Sequence, residues 1–589
     1  MQTGLSLSLV ALLGLLPYVS TIKLPPIATF WPEWVAVVLA GSWLASLVPA
    51  SKPGIASATS ADMEQGSAGV RTELAVPAAV FALVAAGAVL LAQTVAHRPL
   101  FVGAPMLAIA VLALATVVCL GGAKVRARGE AAKLLDAWST GLLVAFALNV
   151  IAVVLDRNGL FVYIYQIVPR PPQARADGLI GQPNQLAVLA VLSSLAADYL
   201  WMRGRLPSIV RVLGAGAIAA VVAMSGSRAG ALLWVVAAVL NGLALRSHPR
   251  RIAGWRMLAL GVVMFVAAQV AWSTFNTAKV ENIDGPRVLN TENRERIELL
   301  RDSWSLIKLH PLAGVGYGNF MAARWSELSG SLLEPTNGNA HNLIAQVMVE
   351  LGMPGAVMVL LPLGLALWAC AKVICRRELA AEQFLAAAVV LVLAGYSMFE
   401  YPLWHTYFLL PFALMLGMVD QRDRIVRVSA VTPPVRWLLW SLGATLCIAL
   451  AFDYRRSENL YMSLRAQNHA RITSTIEIQQ ASDIALLSAF DFYGNLMYSR
   501  TLEPDGSFMD EKLAITEKAM LSMTGRETIA RHMAFLVAAG DVEAAKRLLL
   551  RTRRAPGLER ATRATLELLV PKVPALRAFI DDLPSMPAP

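Results

Sequence analysis

Between residues 4 and 452 the chain keeps returning to apolar runs long enough to cross a bilayer, and this pattern constrains the fold more than any other feature. A span takes about 20 predominantly apolar residues. Runs of this kind occur at 4–22, 31–50, 74–95, 101–121, 135–155, 180–200, 208–224, 229–245, 254–273, 342–371, 383–399, 404–419 and 436–452. The tenth is too long for one plain span and contains Gly352-Met353-Pro354-Gly355, which predicts a short helix, a break and then the span proper. Composition points the same way. The chain is 57% hydrophobic and 15% charged, whereas soluble domains hold about 45–50% apolar and about 25% charged residues; the excess must face lipid. From Asp453 to Pro589 charges recur every few residues and no run reaches spanning length. The expectation is an all-α polytopic membrane protein of about 12–13 transmembrane helices, with a membrane domain over 1–452 and a soluble, helical, repeat-like domain over 453–589.

Orientation follows from where Lys and Arg sit in the connections. With the N-terminus inside, the inner connections hold 20 of them, among them Lys52, Lys124, Arg250 and Arg422; the short outer connections hold 6, namely Lys23, Arg98, Arg157, Arg170, Arg175 and Arg228. The net charge of +11 is thereby read as membrane anchoring, with no nucleic acid partner implied. This orientation puts the polar segment 274–341, the turn Glu400–His405 and the C-terminal domain outside, where ATP is absent. Chemistry there must use energy stored in the substrate, as in a polyprenyl diphosphate. The first run follows Met1-Gln2-Thr3 without a preceding Lys or Arg and is expected as a retained helix. The four cysteines all lie in or beside apolar runs, so neither a disulfide framework nor a metal cluster is expected.

Within the external segment, residues 293–304 read as an amphipathic helix with Arg294, Arg301 and Lys308 at helical spacing. Such arginines can grip diphosphate oxygens, or form a solvated face paired with Glu295, Glu298 and Asp302. The glycines of His310–Phe320 match no nucleotide-binding spacing and are read as a structural turn. His341, in Asn339-Ala340-His341-Asn342 at a helix start, has the chemistry of a general base, although a hydrogen-bonded interfacial histidine would look the same. Arg228, in the small-residue turn Ser225–Gly230, is a cation held at a span boundary; snorkelling is the plainer reading. In Arg175–Gln185 the polar Gln182, Asn184 and Gln185 sit at a membrane boundary. Helix capping accounts for Asn184 but not for both glutamines.

Together these pieces resemble the O-antigen ligase and polymerase superfamily of bacterial inner-membrane glycan transferases. The shared features are many spans, one large periplasmic loop with an Arg near its start (Arg296), a His-Asn near its end (His341-Asn342), and a Gly-x-Pro-Gly break (Gly352–Gly355). Within that superfamily the chain is most similar to the PglL-type protein O-oligosaccharyltransferases. The match centres on Arg175–Leu200, with Gly181-Gln182-Pro183-Asn184-Gln185, and on Glu400-Tyr401-Pro402-Leu403-Trp404. It spans most of 140–420 together with a C-terminal extension. Position 185 is often His in that group and is Gln here, which leaves Gln182 the better candidate for a catalytic task.

The resemblance implies a multi-pass bacterial inner-membrane enzyme with a cytoplasmic N-terminus and a periplasmic active site. Its donor would be an undecaprenyl-diphosphate oligosaccharide and its acceptor a Ser or Thr of an exported protein such as a pilin, with no metal or other cofactor. His341 would orient or deprotonate the acceptor, and Arg228 and Arg296 would hold the diphosphate. Arg175, Gln182, Asn184, Gln185, Glu400 and Tyr401 would contact sugar or acceptor. The alternative is an O-antigen ligase or polymerase using the same donor. A transporter is more distant, because the spans read as almost free of charge.

Overall fold

The computed structural model describes residues 4–47, 71–157, 175–246, 249, 251–280, 285–330, 332, 335–419, 424–429, 432–466, 474–555 and 557–583. Lys52, Arg170, Arg250 and Arg422 of the orientation tally lie outside them.

Every expected run contains a helix. The first nine are α1 (Gly4–Leu15), α2 (Phe30–Ser46), α3 (Ala79–Val95), α4 (Gly103–Ala127), α5 (Ala131–Arg157), α6 (Pro183–Met202), α7 (Ser208–Ser225), α8 (Arg228–Leu245) and α9 (Arg251–Val280). Two polar-segment helices follow, α10 (Gly285–Leu309) and α11 (Phe320–Glu327). The apolar set then closes with α12 (Leu343–Ile374), α13 (Ala381–Tyr396), α14 (Thr406–Met418) and α15 (Pro433–Ala466). Among the described residues, 8 helices are long and apolar enough to cross a membrane, and shorter apolar helices join them. The protein is an all-α polytopic membrane protein apart from one antiparallel ribbon, β1 (Arg71–Val76) with β2 (Arg424–Ser429). The Arg-Ile-Val-Arg-Val-Ser of β2, half of it β-branched Ile and Val, is a strand signal outside the expected spans.

Burial separates the centre from the lipid-facing rim. α6, α13 and α14 are buried along almost their whole length. α9 and α15 instead turn Val262, Val263, Val266, Leu438, Leu442 and Leu446 outward, which is stable only against hydrocarbon. Basic and acidic side chains tie the helices at the end where α4, α6 and α14 finish. Arg126 donates to the Val419 carbonyl, and Arg203 pairs with Asp136 at 3.4 Å and Glu382 at 3.0 Å. The expectation of nearly charge-free spans is corrected inside the bundle. Asp198 of α6 is buried and accepts from Arg211 of α7 and Asn241 of α8. Short polar pairs of this kind vanish in a hydropathy average.

The break in α12 falls at Gly352 (φ 69°, ψ 174°). A Cβ there would lie 2.3 Å from the Leu312 carbonyl oxygen, so only glycine fits. The glycine turn of 310–320 docks on this break: Val315 N donates to the Val349 carbonyl at 2.9 Å and Met353 N to the Pro311 carbonyl at 2.8 Å. The structural reading of those glycines agrees with this geometry.

Beyond α15 come α16 (Thr475–Leu487), α17 (Asp491–Thr501), α18 (Met509–Ser522), α19 (Arg526–Ala538), α20 (Val542–Thr552), α21 (Leu558–Leu569) and α22 (Ala575–Asp581). Trp325 and Leu332 of the polar segment enter their core beside Met520, Ile529 and Met533. Arg554 donates to the carbonyls of Gly330 and Trp325 at 2.9 and 3.1 Å. At the membrane, Asp491 accepts from the backbone of Val102 and Gly103, satisfying free N–H groups at the start of α4. The polar segment is thereby clamped between the bundle and the C-terminal helices.

Candidate active site

Three chain segments converge on one carboxylate, carried by a fourth, at the end of the bundle where α6, α12 and α14 begin. Glu400 follows α13 in a short turn and is 7% exposed. Its Oε1 accepts from Asn184 Nδ2 at 2.8 Å and from the Arg296 guanidinium at 2.9 Å; its Oε2 lies 3.1 Å from His341 Nδ1. Asn184 Oδ1 in turn accepts from Arg175 at 2.8 Å, and Arg175 Nε donates to the Ser225 carbonyl at 2.7 Å. Five of the residues singled out from the sequence therefore form one hydrogen-bonded chain.

Each is positioned by local structure. The Gln182 side chain accepts from Gln185 N at 2.6 Å and caps α6, with Pro183 at the first helical position. This corrects the capping assignment: Gln182 holds the helix end and Asn184 is freed for Arg175 and Glu400. The turn before it hangs on buried Asn149 of α5, whose Oδ1 accepts from Leu179 N and Ile180 N at 2.8 and 3.2 Å. Asn342 caps α12, accepting from Ala345 N at 3.0 Å. His341, one residue earlier, is held in the left-handed region (φ 50°). Strain of this kind persists where the surroundings over-determine it. Ser227 caps α8 by accepting from Gly230 N at 3.1 Å, and Arg228 is exposed on that first turn, just past the Ser225–Gly226 turn that Arg175 braces. Of the amphipathic helix, Arg294, Arg301 and Lys308 are exposed, whereas Arg296 turns to Glu400.

The geometry fixes the protonation pattern of His341. A carboxylate only accepts, so Nδ1–H donates to Glu400 and Nε2 is left as the acceptor. Nε2 lies 3.3 Å from Asn337 Nδ2, a donor. Tyr401 packs edge-on against the imidazole with ring centroids 5.3 Å apart. Burial first, and then the Glu400 charge, raise the Tyr401 phenol above its ordinary value, so it stays protonated.

A cavity of about 230 Å³ opens against Glu400 and Tyr401, lined also by Gln182, Gln185, His405 and Lys23. Gly181 (φ 70°) lets the Lys23 ammonium approach: a Cβ there would sit 2.2 Å from Nζ. The sequence reading missed Asn337, His405, Glu33 and Lys23. Of these, Glu33 carried a usable signal, being an isolated carboxylate at the start of an apolar run. Among the described residues no cluster of three or more His, Cys, Asp or Glu is arranged to hold a metal.

The family described as O-antigen ligase matches residues 186–360, and that described as the C-terminal part of a virulence factor membrane-bound polymerase matches 384–566. Two stretches of the chain, each under a third of its length, are thus similar to these families. Arg228, Arg296 and His341 fall in the ligase match and Glu400, Tyr401 and His405 in the polymerase match. Arg175, Gln182, Asn184 and Gln185 precede both. A general O-oligosaccharyltransferase of Acinetobacter baylyi is 23% identical over 384 residues. The alignment takes in 62% of this chain, which spans 63% of that relative's length.

Proposed function

We propose that this chain transfers an oligosaccharide from undecaprenyl diphosphate to Ser or Thr hydroxyls of exported proteins, pilins among them, at the periplasmic face of a bacterial inner membrane. The observation that carries the reading is the Glu400 junction, which joins an imidazole base to an arginine beside a cavity that Gln182, Gln185 and His405 help to line. The named activity of the Acinetobacter relative supports the reaction class, and the inner excess of Lys and Arg supports the sidedness.

The mechanism is a single displacement. The acceptor hydroxyl takes the place of Asn337 Nδ2 at His341 Nε2 and donates its proton there while its oxygen attacks the anomeric carbon. The bond from that carbon to the phosphate oxygen breaks, and undecaprenyl diphosphate leaves with the electron pair. Glu400 holds Nδ1–H and stabilises the imidazolium as it forms. Arg296, with Arg228 and Arg175 at the same end of the bundle, neutralises charge on the departing diphosphate. Gln182, Asn184, Gln185 and Tyr401 bound the sugar and acceptor side. The cavity is smaller than the roughly 300–1,000 Å³ of a drug-sized site, so it takes one ring of the glycan. Displacement in one step inverts the anomeric configuration.

A second reading, transfer to lipid A core, is favoured by the O-antigen ligase match, which contains His341 and Arg296. The two separate in a strain that makes one known lipid-linked glycan. Protein transfer gives an exported acceptor whose intact mass rises by that glycan, with lipopolysaccharide banding unchanged. A new lipopolysaccharide ladder with an unmodified acceptor selects the ligase reading.

A further inference from the structure

Gln185 is joined to Glu33 of α2 by a chain of contacts that leads away from the Glu400 junction. Glu33 Oε1 lies 3.1 Å from His405 Nδ1, and Gln185 Nε2 lies 3.2 Å from His405 Nε2. Tyr407 OH donates to Gln185 Oε1 at 2.9 Å. Thr406 Oγ1 donates to the Glu33 carbonyl at 2.9 Å and locks α2 to α14, while the His405 ring stacks on Tyr407 at 5.2 Å.

With a neutral imidazole, one assignment of protons satisfies all of these contacts. The carboxylate accepts, so His405 carries its proton on Nδ1 and offers Nε2 as an acceptor. The Gln185 amide must then turn its NH₂ to His405 and its carbonyl to the Tyr407 hydroxyl. An amide nitrogen has two hydrogens, and His405 takes one. Gln185 lines the cavity, so its second N–H is available to a ligand. If the proton moved to His405 Nε2, the amide would have to rotate, and the cavity would meet a different hydrogen-bonding group.

We infer that Glu33 and His405 are positioning residues that fix the orientation of the Gln185 amide, so that the cavity presents an N–H donor to a hydroxyl or ether oxygen of the donor sugar. This rests on the proposed function and adds the group that reads the sugar. Glu33 acts through His405 and needs no contact with substrate.

The test measures lipid binding by the full-length chain in nanodiscs. The probe is a synthetic undecaprenyl-diphosphate-linked disaccharide, with sugar-free undecaprenyl diphosphate as the control. Glu33→Gln can donate to Nδ1 and so reverses the imidazole. It should weaken disaccharide-lipid binding roughly tenfold, the size of one hydrogen bond, and leave sugar-free lipid binding unchanged. Glu33→Asp keeps the carboxylate and should restore affinity. In a Gln185→Ala background Glu33→Gln should change the disaccharide-lipid Kd less than about twofold, because coupled residues are non-additive. Equal weakening for both lipids, equal weakening in both backgrounds, or an unchanged Kd overturns the inference. A wild-type chain that binds the disaccharide lipid but glycosylates no protein sinks the proposed function and leaves this contact standing. One that binds neither lipid sinks both.

Discussion

Two carboxylates in this molecule are equally buried and differently employed. Glu400 is 7% exposed and Asp198 is 8% exposed. Asp198 is held between Arg211 and Asn241, from the two neighbouring helices, and the cavity beside it is only about 40 Å³. Arg211 also lies over the Trp201 ring at 4.6 Å. That pair pins α6, α7 and α8 together. Glu400 takes its partners from the start of α6, the polar-segment helix α10 and the turn before α12, and it borders the larger cavity. Burial alone therefore does not mark a site. What marks it is a carboxylate whose partners are functional groups delivered by separate chain segments beside open space.

This contrast can be broken by experiment. The largest effect is expected at His341: His341→Ala should lower transfer by about 10²–10⁴-fold, the usual worth of general base catalysis, with membrane levels unchanged by immunoblot. Glu400→Gln should follow with a loss of roughly 10²-fold in kcat, because the imidazole loses the group that orients it. Asp198→Asn should leave kcat per folded molecule unaltered. Should it match Glu400→Gln in kcat, the contrast fails.

Arg211→Met leaves Asp198 buried without its cation, a change that costs about 3–5 kcal/mol. A lowered Tm with normal transfer by the surviving folded protein is the expected outcome, and Asp198→Asn in the same chain should recover much of the Tm. A smaller effect comes from the C-terminal helices. Burial lowers the His532 imidazole to about 4. Between an unfolded value near 6.5 and that folded value, the unfolded chain binds a proton that the folded one refuses. Stability should be level above about pH 6.5 and fall by roughly 3 kcal/mol as pH drops towards 4. His532→Gln should flatten that slope in thermal unfolding scans. The smallest effect is Gly181→Ala, which places a Cβ on Lys23 and strains a positive φ. It should cost about 1–2 kcal/mol and should reduce donor affinity more than kcat.

Much of this architecture was legible in the sequence because hydrocarbon imposes one strong rule on each span. All of the expected runs contain helices, and the break at Gly352 sits where Gly-Met-Pro-Gly predicted it. The ribbon of β1 and β2 escaped because it is short and joins strands some 350 residues apart. At the site, Asn184 and His341 stand out by local features, whereas Arg175, Arg296 and Glu400 are singled out as site residues by the resemblance. Their assembly into one chain was not readable, because the contact from Asn184 to Glu400 crosses 216 positions. Gln182 and Asn184 exchanged roles for a local reason: capping depends on which residue adopts extended backbone before the helix, and that is Gln182 (φ −147°, ψ 117°). Glu33 and His405 acquire meaning only once α2 and α14 are adjacent.

The most direct test of the account is the intact mass of a purified exported acceptor protein after incubation with the purified full-length chain and a synthetic undecaprenyl-diphosphate glycan. The account predicts an increment equal to the glycan with the wild-type chain and none with His341→Ala, although the variant still binds the donor lipid. An equal increment at an equal rate from His341→Ala would contradict it.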